Sequence, residues 1–206
     1  MPPAPNNPVH LRQDIRISFD LEQSVMNGES SITLPPGMEL RLLFGDLEQV
    51  RIMVNEGDAA EYNERKAIAP NDDNTLYLAP DPQERTIFLF WRLTAAPPGN
   101  GSGNLISPQG ITLAGFWHPI TEEDMLFSLT AELPPGFNGV TEADEIDIIT
   151  AEYAYDNEQV LTASSPHPLR SINFVAGPYV VLSRSISNLT LYTYFFEEDA
   201  RLAAGY

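Results

Sequence analysis

Alternation of apolar and polar residues constrains the fold of this chain more than any other feature of its sequence. Apolar residues occupy every second position over Ile15–Leu21, which is the pattern of a β-strand with one buried face. Asn27-Gly28 follows, and this dipeptide predicts a two-residue hairpin turn because both of its positions accept a positive φ. A return strand up to Leu34 completes the predicted hairpin.

The same period of two recurs along the rest of the chain, between turn-forming glycine, proline, asparagine and aspartate residues. The further predicted strands contain Leu40–Phe44, Val50–Val54, Leu76–Leu78, Ile87–Leu93, Met125–Leu133, Ile146–Ile148, Ile172–Phe174, Tyr179–Leu182 and Leu189–Phe196. Ile87–Leu93 is apolar almost throughout, which favours a strand covered on both faces. About ten strands with turn signals between them predict an all-β fold, a two-layer sandwich or saddle of mostly antiparallel sheets with little helix.

The two ends of the chain and one internal stretch depart from this pattern. Residues 1–11 are rich in proline and predict an extended leader, and residues 12–196 make up the predicted β domain. Over 197–206 acidic residues precede good helix formers, the charge order that a helix N-terminus favours. We therefore expect a helix to begin there and to lead into a following domain that is absent. The stretch 95–107, rich in glycine and proline, is expected to be an irregular loop.

The balance of charge excludes two classes of partner. The 206 residues include 29 Asp and Glu against 11 Lys and Arg, which gives a formal net charge of −18. A nucleic-acid interface and a polybasic membrane anchor both need a basic face, so neither partner is expected. No apolar stretch approaches the roughly 18 residues of a membrane span, so no span is expected either.

The cysteine count and the leader bear on the compartment. The chain has no cysteine, which excludes a disulfide framework, a thiolate metal site and a cysteine nucleophile but leaves the compartment open. The leader lacks the basic and apolar regions of a signal peptide. Because such a leader could follow a signal or lipid-attachment segment, a periplasmic, cell-envelope or secreted location is slightly favoured over the cytoplasm.

A search for catalytic and metal-binding motifs assigns no catalytic residue and no metal ligand. His10, His118 and His167 are far apart in the sequence, and no His-Glu-x-x-His zinc motif occurs. We interpret them as turn or half-buried histidines. Short acidic clusters lie at 122–124, 142–145 and 197–199. These clusters favour solvated turns, with a weak calcium site as the alternative.

One predicted strand carries an aromatic face. Tyr192, Tyr194 and Phe196 lie on one side of it, because they occupy alternate positions. An exposed aromatic face could bind a sugar or a peptide edge, but more often it packs under another sheet or domain. We therefore interpret these three residues as a domain-packing face.

Several short segments follow one another in an order that is typical of a known family. They are Ile15–Leu21, Asn27-Gly28, Ser31–Leu34, Trp91–Leu93, Gly115–Pro119, Leu133–Phe137, Ile172–Tyr179 and Leu191–Phe196. In this order and spacing they resemble the N-terminal, saddle-like β domain of the aminopeptidase N family of zinc metallopeptidases. The resemblance covers roughly residues 12 to 206.

The resemblance implies a non-catalytic role. In that family this domain walls one side of the active-site cleft and packs on a thermolysin-like catalytic domain, which carries the Gly-x-Met-Glu-Asn and His-Glu-x-x-His motifs. Neither motif occurs here. The resemblance therefore implies zinc in an absent catalytic domain and no cofactor in this chain. The implied partners are the catalytic domain and the peptide substrate of the parent enzyme.

The resemblance also implies one substrate-binding residue. Family members supply from this domain a Gln or Glu that helps to hold the free amine of the substrate. The stretch Ser107–Gly110, upstream of Trp117, falls near that place, so Gln109 is the candidate. The alternative interpretation is a glutamine in a surface turn.

A rival function is a stand-alone β-sandwich binding module for sugar, peptide or calcium. It depends on the acidic turns and on the face that contains Tyr192 and Tyr194.

Overall fold

The computed structural model describes residues 10–56, 66–95, 103–143, 145–150 and 159–199, which fold almost entirely into β-strands. In chain order the strands are β1 (Arg12–Asp20), β2 (Val25–Leu34), β3 (Leu40–Leu43), β4 (Glu48–Glu56), β5 (Lys66–Ile68), β6 (Thr75–Leu78), β7 (Arg85–Thr94), β8 (Asn104–Ser107), β9 (Gly110–Leu113), β10 (Ile120–Thr121), β11 (Leu126–Leu133), β12 (Asn138–Thr141), β13 (Glu145–Thr150), β14 (Gln159–Ser164), β15 (Phe174–Gly177), β16 (Tyr179–Ile186) and β17 (Leu189–Phe196). A short 3-10 turn, Glu197–Asp199, follows β17. The predicted all-β class is confirmed.

Eight strands form the largest sheet, in the order β13-β14-β11-β1-β2-β7-β4-β5. Its neighbouring strands are antiparallel except β1 and β11, which are parallel. Burial alternates along the central strands, so that one face of this sheet points into the core and the other points outward.

Two smaller sheets cover the inward face of the large one. They have the orders β10-β3-β6 and β12-β15-β9-β8, and their buried residues join those of the large sheet in one hydrophobic core. Phe19 of β1 stacks on Phe174 of β15 with ring centroids 5.8 Å apart. Trp91 Nε1 donates a hydrogen bond to the carbonyl oxygen of Trp117 at 2.8 Å, which ties β7 to the segment after β9. The fourth sheet, β16–β17, contributes no residue to this core.

The first hairpin is present, but its predicted turn is wrong. The chain turns over Leu21–Ser24, where Ser24 has φ of +55°, and not at Asn27-Gly28. Gly28 lies inside β2, opposite Ile17, and its φ is not positive. A Cβ atom at Gly28 would lie 2.2 Å from Cε2 of Trp91, so glycine is needed to make room for the indole.

Two further predictions are corrected by burial and pairing. Strand β7 is not covered on both faces, because Phe88 and Phe90 on its outward face are only half-buried. The stretch predicted as an irregular loop ends in a strand, since Asn104–Ser107 pairs with Gly110–Leu113. The parts of the predicted leader, loop and helix at 1–9, 96–102 and 200–206 lie outside the described residues. No helix in the described part of the chain is long and apolar enough to cross a membrane.

Candidate functional site

The β16–β17 hairpin is the least buried element among the described strands. Every one of its strand residues is exposed or half-buried, on both faces. Directly opposed residues of an antiparallel pair share a face, so the register defines two faces. One face is mostly aliphatic and carries Val180, Leu182, Ile186, Leu189, Leu191 and Phe195. Leu189 is 59% exposed, and we call this surface the aliphatic face of the hairpin.

The opposite face carries the predicted aromatic residues. Tyr179 contacts Phe196 with ring centroids 5.1 Å apart and Tyr194 at 6.0 Å, in an edge-to-face arrangement. Burial raises the pKa of Tyr179 and of Tyr194, so both rings are partly withdrawn from water. Tyr192 is 61% exposed and extends this face toward the tip of the hairpin.

The hairpin is attached to the body of the protein at one end. Asn138 Nδ2 donates a hydrogen bond to the carbonyl oxygen of Tyr179 at 2.8 Å, which fixes the first residue of β16 against β12. A Cβ atom at Gly177 would lie 2.8 Å from the Tyr179 ring, so the tyrosine packs directly on the backbone of β15. The other end turns at Ser187, which has φ of +59°.

Gln109 lies at the tip of the tight turn between β8 and β9, and it is exposed. Ser107 Oγ accepts a hydrogen bond from the Gln109 amide at 3.3 Å and donates one to the Gly110 carbonyl at 3.1 Å. Strand β15 is antiparallel to β9, with Ala176 opposite Ile111. The turn therefore lies at the same end of this sheet from which the hairpin leaves.

The three histidines have different environments. His118 is fully buried and contacts the rings of Trp117 and Phe127 edge-on. Its Nδ1 lies 2.9 Å from the Pro119 carbonyl oxygen and its Nε2 lies 3.1 Å from Ser171 Oγ. Since a carbonyl can only accept, the neutral ring donates from Nδ1 and accepts at Nε2. Burial lowers the pKa of His118 to about 4, against the opposing effect of the Pro119 hydrogen bond. His10 and His167 are exposed.

The acidic clusters are solvent-exposed wherever the structure describes them. Glu122 forms an ion pair with Arg41 at 3.4 Å, and Glu142 accepts hydrogen bonds from the backbone and side chain of Asn173. Asp144 lies outside the described residues. Within the described residues, no group of three His, Asp or Glu side chains could hold a metal ion.

An open cavity of about 750 Å³ lies on the outward face of the large sheet. It is lined by β11, β1, β2, β7 and β4, which are adjacent in the sheet. We call it the arginine cavity, because Arg16, Arg51 and Arg92 line it together with Phe90. Sequence reasoning missed this surface, since it predicted that β7 was covered on both faces.

A β-bulge forms one rim of the arginine cavity. The pairing of β4 with β7 shifts register between Glu48 and Arg51, and Gln49 between them has φ of +51°. Bulges occur often beside binding sites, because the extra residue re-aims neighbouring side chains. Here the bulge places Gln49 and Arg51 on the cavity wall.

No family model matches the chain, and no curated protein matches it.

Proposed function

We propose that this chain is the non-catalytic N-terminal domain of a larger aminopeptidase-like zinc metallopeptidase. In this proposal the domain walls one side of the active-site cleft and packs on the catalytic domain. The zinc and the reaction belong to that second domain, whose substrate is a peptide. A location in the periplasm, the cell envelope or the secreted fraction is part of the same proposal.

The observation that carries the proposal is the β16–β17 hairpin. A two-stranded hairpin with no sheet or helix packed on it is marginally stable in water. This hairpin exposes aliphatic side chains on one face and tyrosines on the other. Burial of exposed leucine side chains contributes roughly 1.5–3 kcal/mol each, so a partner that covers the aliphatic face would stabilise the element strongly. A catalytic domain that follows in the same polypeptide would be such a partner.

The position of Gln109 agrees with this role. The turn that carries it lies beside the base of the hairpin, so a domain packed on the hairpin would approach Gln109 as well. A glutamine side-chain oxygen accepts hydrogen bonds, which suits the protonated amine of a peptide substrate. We therefore propose Gln109 as the residue of this domain that contacts the substrate amine.

The first experiment compares the 206-residue chain with the longer protein that the proposal expects its gene to encode. The coding sequence after Tyr206 should contain a His-Glu-x-x-His motif, and hydrogen exchange of the β16 and β17 amides should slow in the longer protein. The double variant Leu182→Asp/Leu191→Asp should restore fast exchange, whereas Thr33→Asp on the outward face of β2 should not. A stop codon directly after Tyr206, or unchanged exchange in the longer protein, would contradict the proposal.

The second experiment tests Gln109 in the longer protein, with amino-acid amides as substrates. Gln109→Ala should raise KM about tenfold with little change in kcat, since it removes one hydrogen bond to a charged group. Gln23→Ala changes another exposed turn glutamine and should leave both constants unchanged. If KM and kcat are the same in Gln109→Ala and wild type, Gln109 does not contact the substrate. That result would not contradict the proposed packing of this domain on the catalytic domain.

The stand-alone binding module is the second candidate, and the exposure of Tyr192 favours it. This candidate predicts saturable binding of a glycan or peptide by the 206-residue chain, lost in Tyr192→Ala. Packing on a catalytic domain instead predicts that Tyr192→Ala weakens association between the two domains. A glycan array and a calcium titration that both show no binding would remove most of the support for the module.

A further inference from the structure

The arginine cavity concentrates positive charge in a chain that is otherwise strongly acidic. Three of the ten arginines line it, and Glu29 and Glu132 are the only carboxylates among its described lining residues. The wall therefore carries one positive charge in excess, whereas the chain carries −18. Charges more than about 10 Å away are largely screened at physiological salt, so the groups in and beside the cavity matter more for binding than the net charge of the chain.

Two of these arginines lack a carboxylate partner among the described residues. Arg16 pairs with Glu29 at 3.8 Å. Arg51 instead places its guanidinium over the Phe90 ring, 5.5 Å from the centroid, and Arg92 makes no ion pair within the described part of the chain. Glu48 lies opposite Arg92 in the register, but its carboxylate accepts a hydrogen bond from Thr94 at 3.2 Å. A guanidinium stays charged at all ordinary pH values and binds carboxylates in bidentate fashion.

The rest of the wall supplies hydroxyl and amide groups around an aromatic ring. Ser18, Asn27 and Gln49 line the arginine cavity with Phe90. An adjoining cavity of about 470 Å³ shares Arg16, Glu29 and Phe90 with it and adds serine and threonine hydroxyls from β2 and β11. It also adds the carboxylate of Asp14, which forms an ion pair with Arg12 at 2.9 Å. Sites of this composition orient a ligand by a few polar groups while an apolar surface packs against it.

The width of the five-strand surface and the pairing of its strands favour one class of ligand. Five adjacent strands span roughly 19 Å, which is long enough for an oligomer. Among the described residues β5 pairs only with Ile52–Val54 of β4, so Glu48–Arg51 pair on the β7 side alone. At the centre of the cavity, however, β2 and β7 are paired on both sides and offer no free backbone edge to an extended peptide. A sugar chain needs no such edge, because its hydroxyls bind side chains and its ring faces pack on aromatic rings.

We propose that the outward face of the large sheet binds an acidic oligosaccharide at the arginine cavity. Its carboxylates pair with Arg51 and Arg92, and a sugar ring packs beside Phe90. Asn27 and Gln49 bind its hydroxyls. This site lies on a different sheet from the hairpin and does not depend on the function proposed above.

The test is isothermal titration calorimetry of the 206-residue chain with tetragalacturonate, in about 0.1 M NaCl to screen distant charges. Saturable binding is expected, weakened about tenfold by Arg51→Gln and by Arg92→Gln, since each removes a charge-assisted pair. Arg41→Gln, which changes an exposed arginine of β3, is the matched control and should bind as wild type does. Melting temperatures equal to that of the wild type will show that the three arginine variants are folded.

Two further probes separate the charge from the sugar. The fully methyl-esterified tetragalacturonide should bind at least about tenfold more weakly, because it keeps the rings and loses the carboxylates. Hexaglutamate should bind no better than free glutamate. The proposal is overturned if tetragalacturonate does not bind, if the Arg51→Gln/Arg92→Gln double variant binds it as tightly as wild type, or if hexaglutamate binds more tightly.

Discussion

At the scale of the residue, Gly28 and Trp91 show how one absent side chain determines local packing. The two residues are direct partners across β2 and β7, and the indole occupies the space that any Cβ atom at Gly28 would fill. The Trp91 indole also donates to the Trp117 carbonyl, so it cannot move aside without losing that hydrogen bond. This glycine is therefore required by packing and not by a turn.

Gly28→Ala is expected to lower the free energy of unfolding by about 2–3 kcal/mol, as overpacking of a full core does. Urea unfolding followed by tryptophan fluorescence measures the change. Gly110→Ala is the matched control, because its new Cβ would meet only the Ala176 carbonyl oxygen at an ordinary 3.4 Å. Equal effects of the two substitutions would show that the Trp91 contact does not limit position 28.

His118 is expected to make the folded protein less stable at acidic pH. Its pKa is about 4 in the folded protein against 6.5 for an exposed histidine. Below pH 6.5 this histidine binds a proton in the unfolded chain but stays neutral in the folded protein. The free energy of unfolding therefore falls as the pH drops toward 4. The shift corresponds to roughly 3 kcal/mol, which is lost over that interval and changes little below it.

Chemical unfolding at several pH values between 7 and 4 tests this expectation. The fall in stability should be smaller in His118→Gln, whose side chain does not titrate, whatever the absolute stability of the variant. Identical slopes in His118→Gln and wild type would show that other groups cause the acid sensitivity.

At the scale of the element, the β16–β17 hairpin should be the least protected part of the described strands. Among the described residues its amides pair only within the ribbon, and none of its side chains belongs to the core. Local opening is therefore expected to cost far less free energy than opening of β2 or β7 in the middle of the large sheet. Hydrogen exchange of the 206-residue chain, resolved by residue, measures both. Equal protection of β17 and β7 would mean that the hairpin is covered.

Period-two patterning predicted the strands whose alternation is long, and it did so because one face of each is buried. Strands β1, β2, β4 and β11 are of this kind. It missed short strands such as β9 and β10, which have too few residues to show a period.

The turn of the first hairpin and the arginine cavity could not be predicted from local sequence patterns, for two further reasons. Asn-Gly is ambiguous, because glycine serves a tight turn and a close side-chain approach equally well. The arginine cavity is assembled from residues far apart in the chain, among them Arg16, Gln49 and Arg92. Only strand order places them together, and strand order is not encoded in the local period.

At the scale of the whole molecule, one core joins three sheets while the hairpin stays outside it. Both tryptophans lie in that core, so their fluorescence reports its integrity. A chain that ends at Gly177 should therefore unfold in a single transition with nearly the same melting temperature as the full chain. Differential scanning calorimetry measures both chains, and far-ultraviolet circular dichroism should give the same midpoint as fluorescence. A marked loss of stability on truncation would show that the hairpin supports the body.

The parallel pair of β1 and β11 also determines when the molecule can fold. Asp14 and Ser128, which face each other in this pair, are 114 positions apart. Closing so long a loop lowers the entropy of the chain before the contacts between β1 and β11 can form. Long-range pairing of this kind therefore slows folding. During synthesis, β1 leaves the ribosome early and must wait for β11 before its second edge is covered. Until then that edge can pair with other strands, which makes the incomplete chain prone to mispairing.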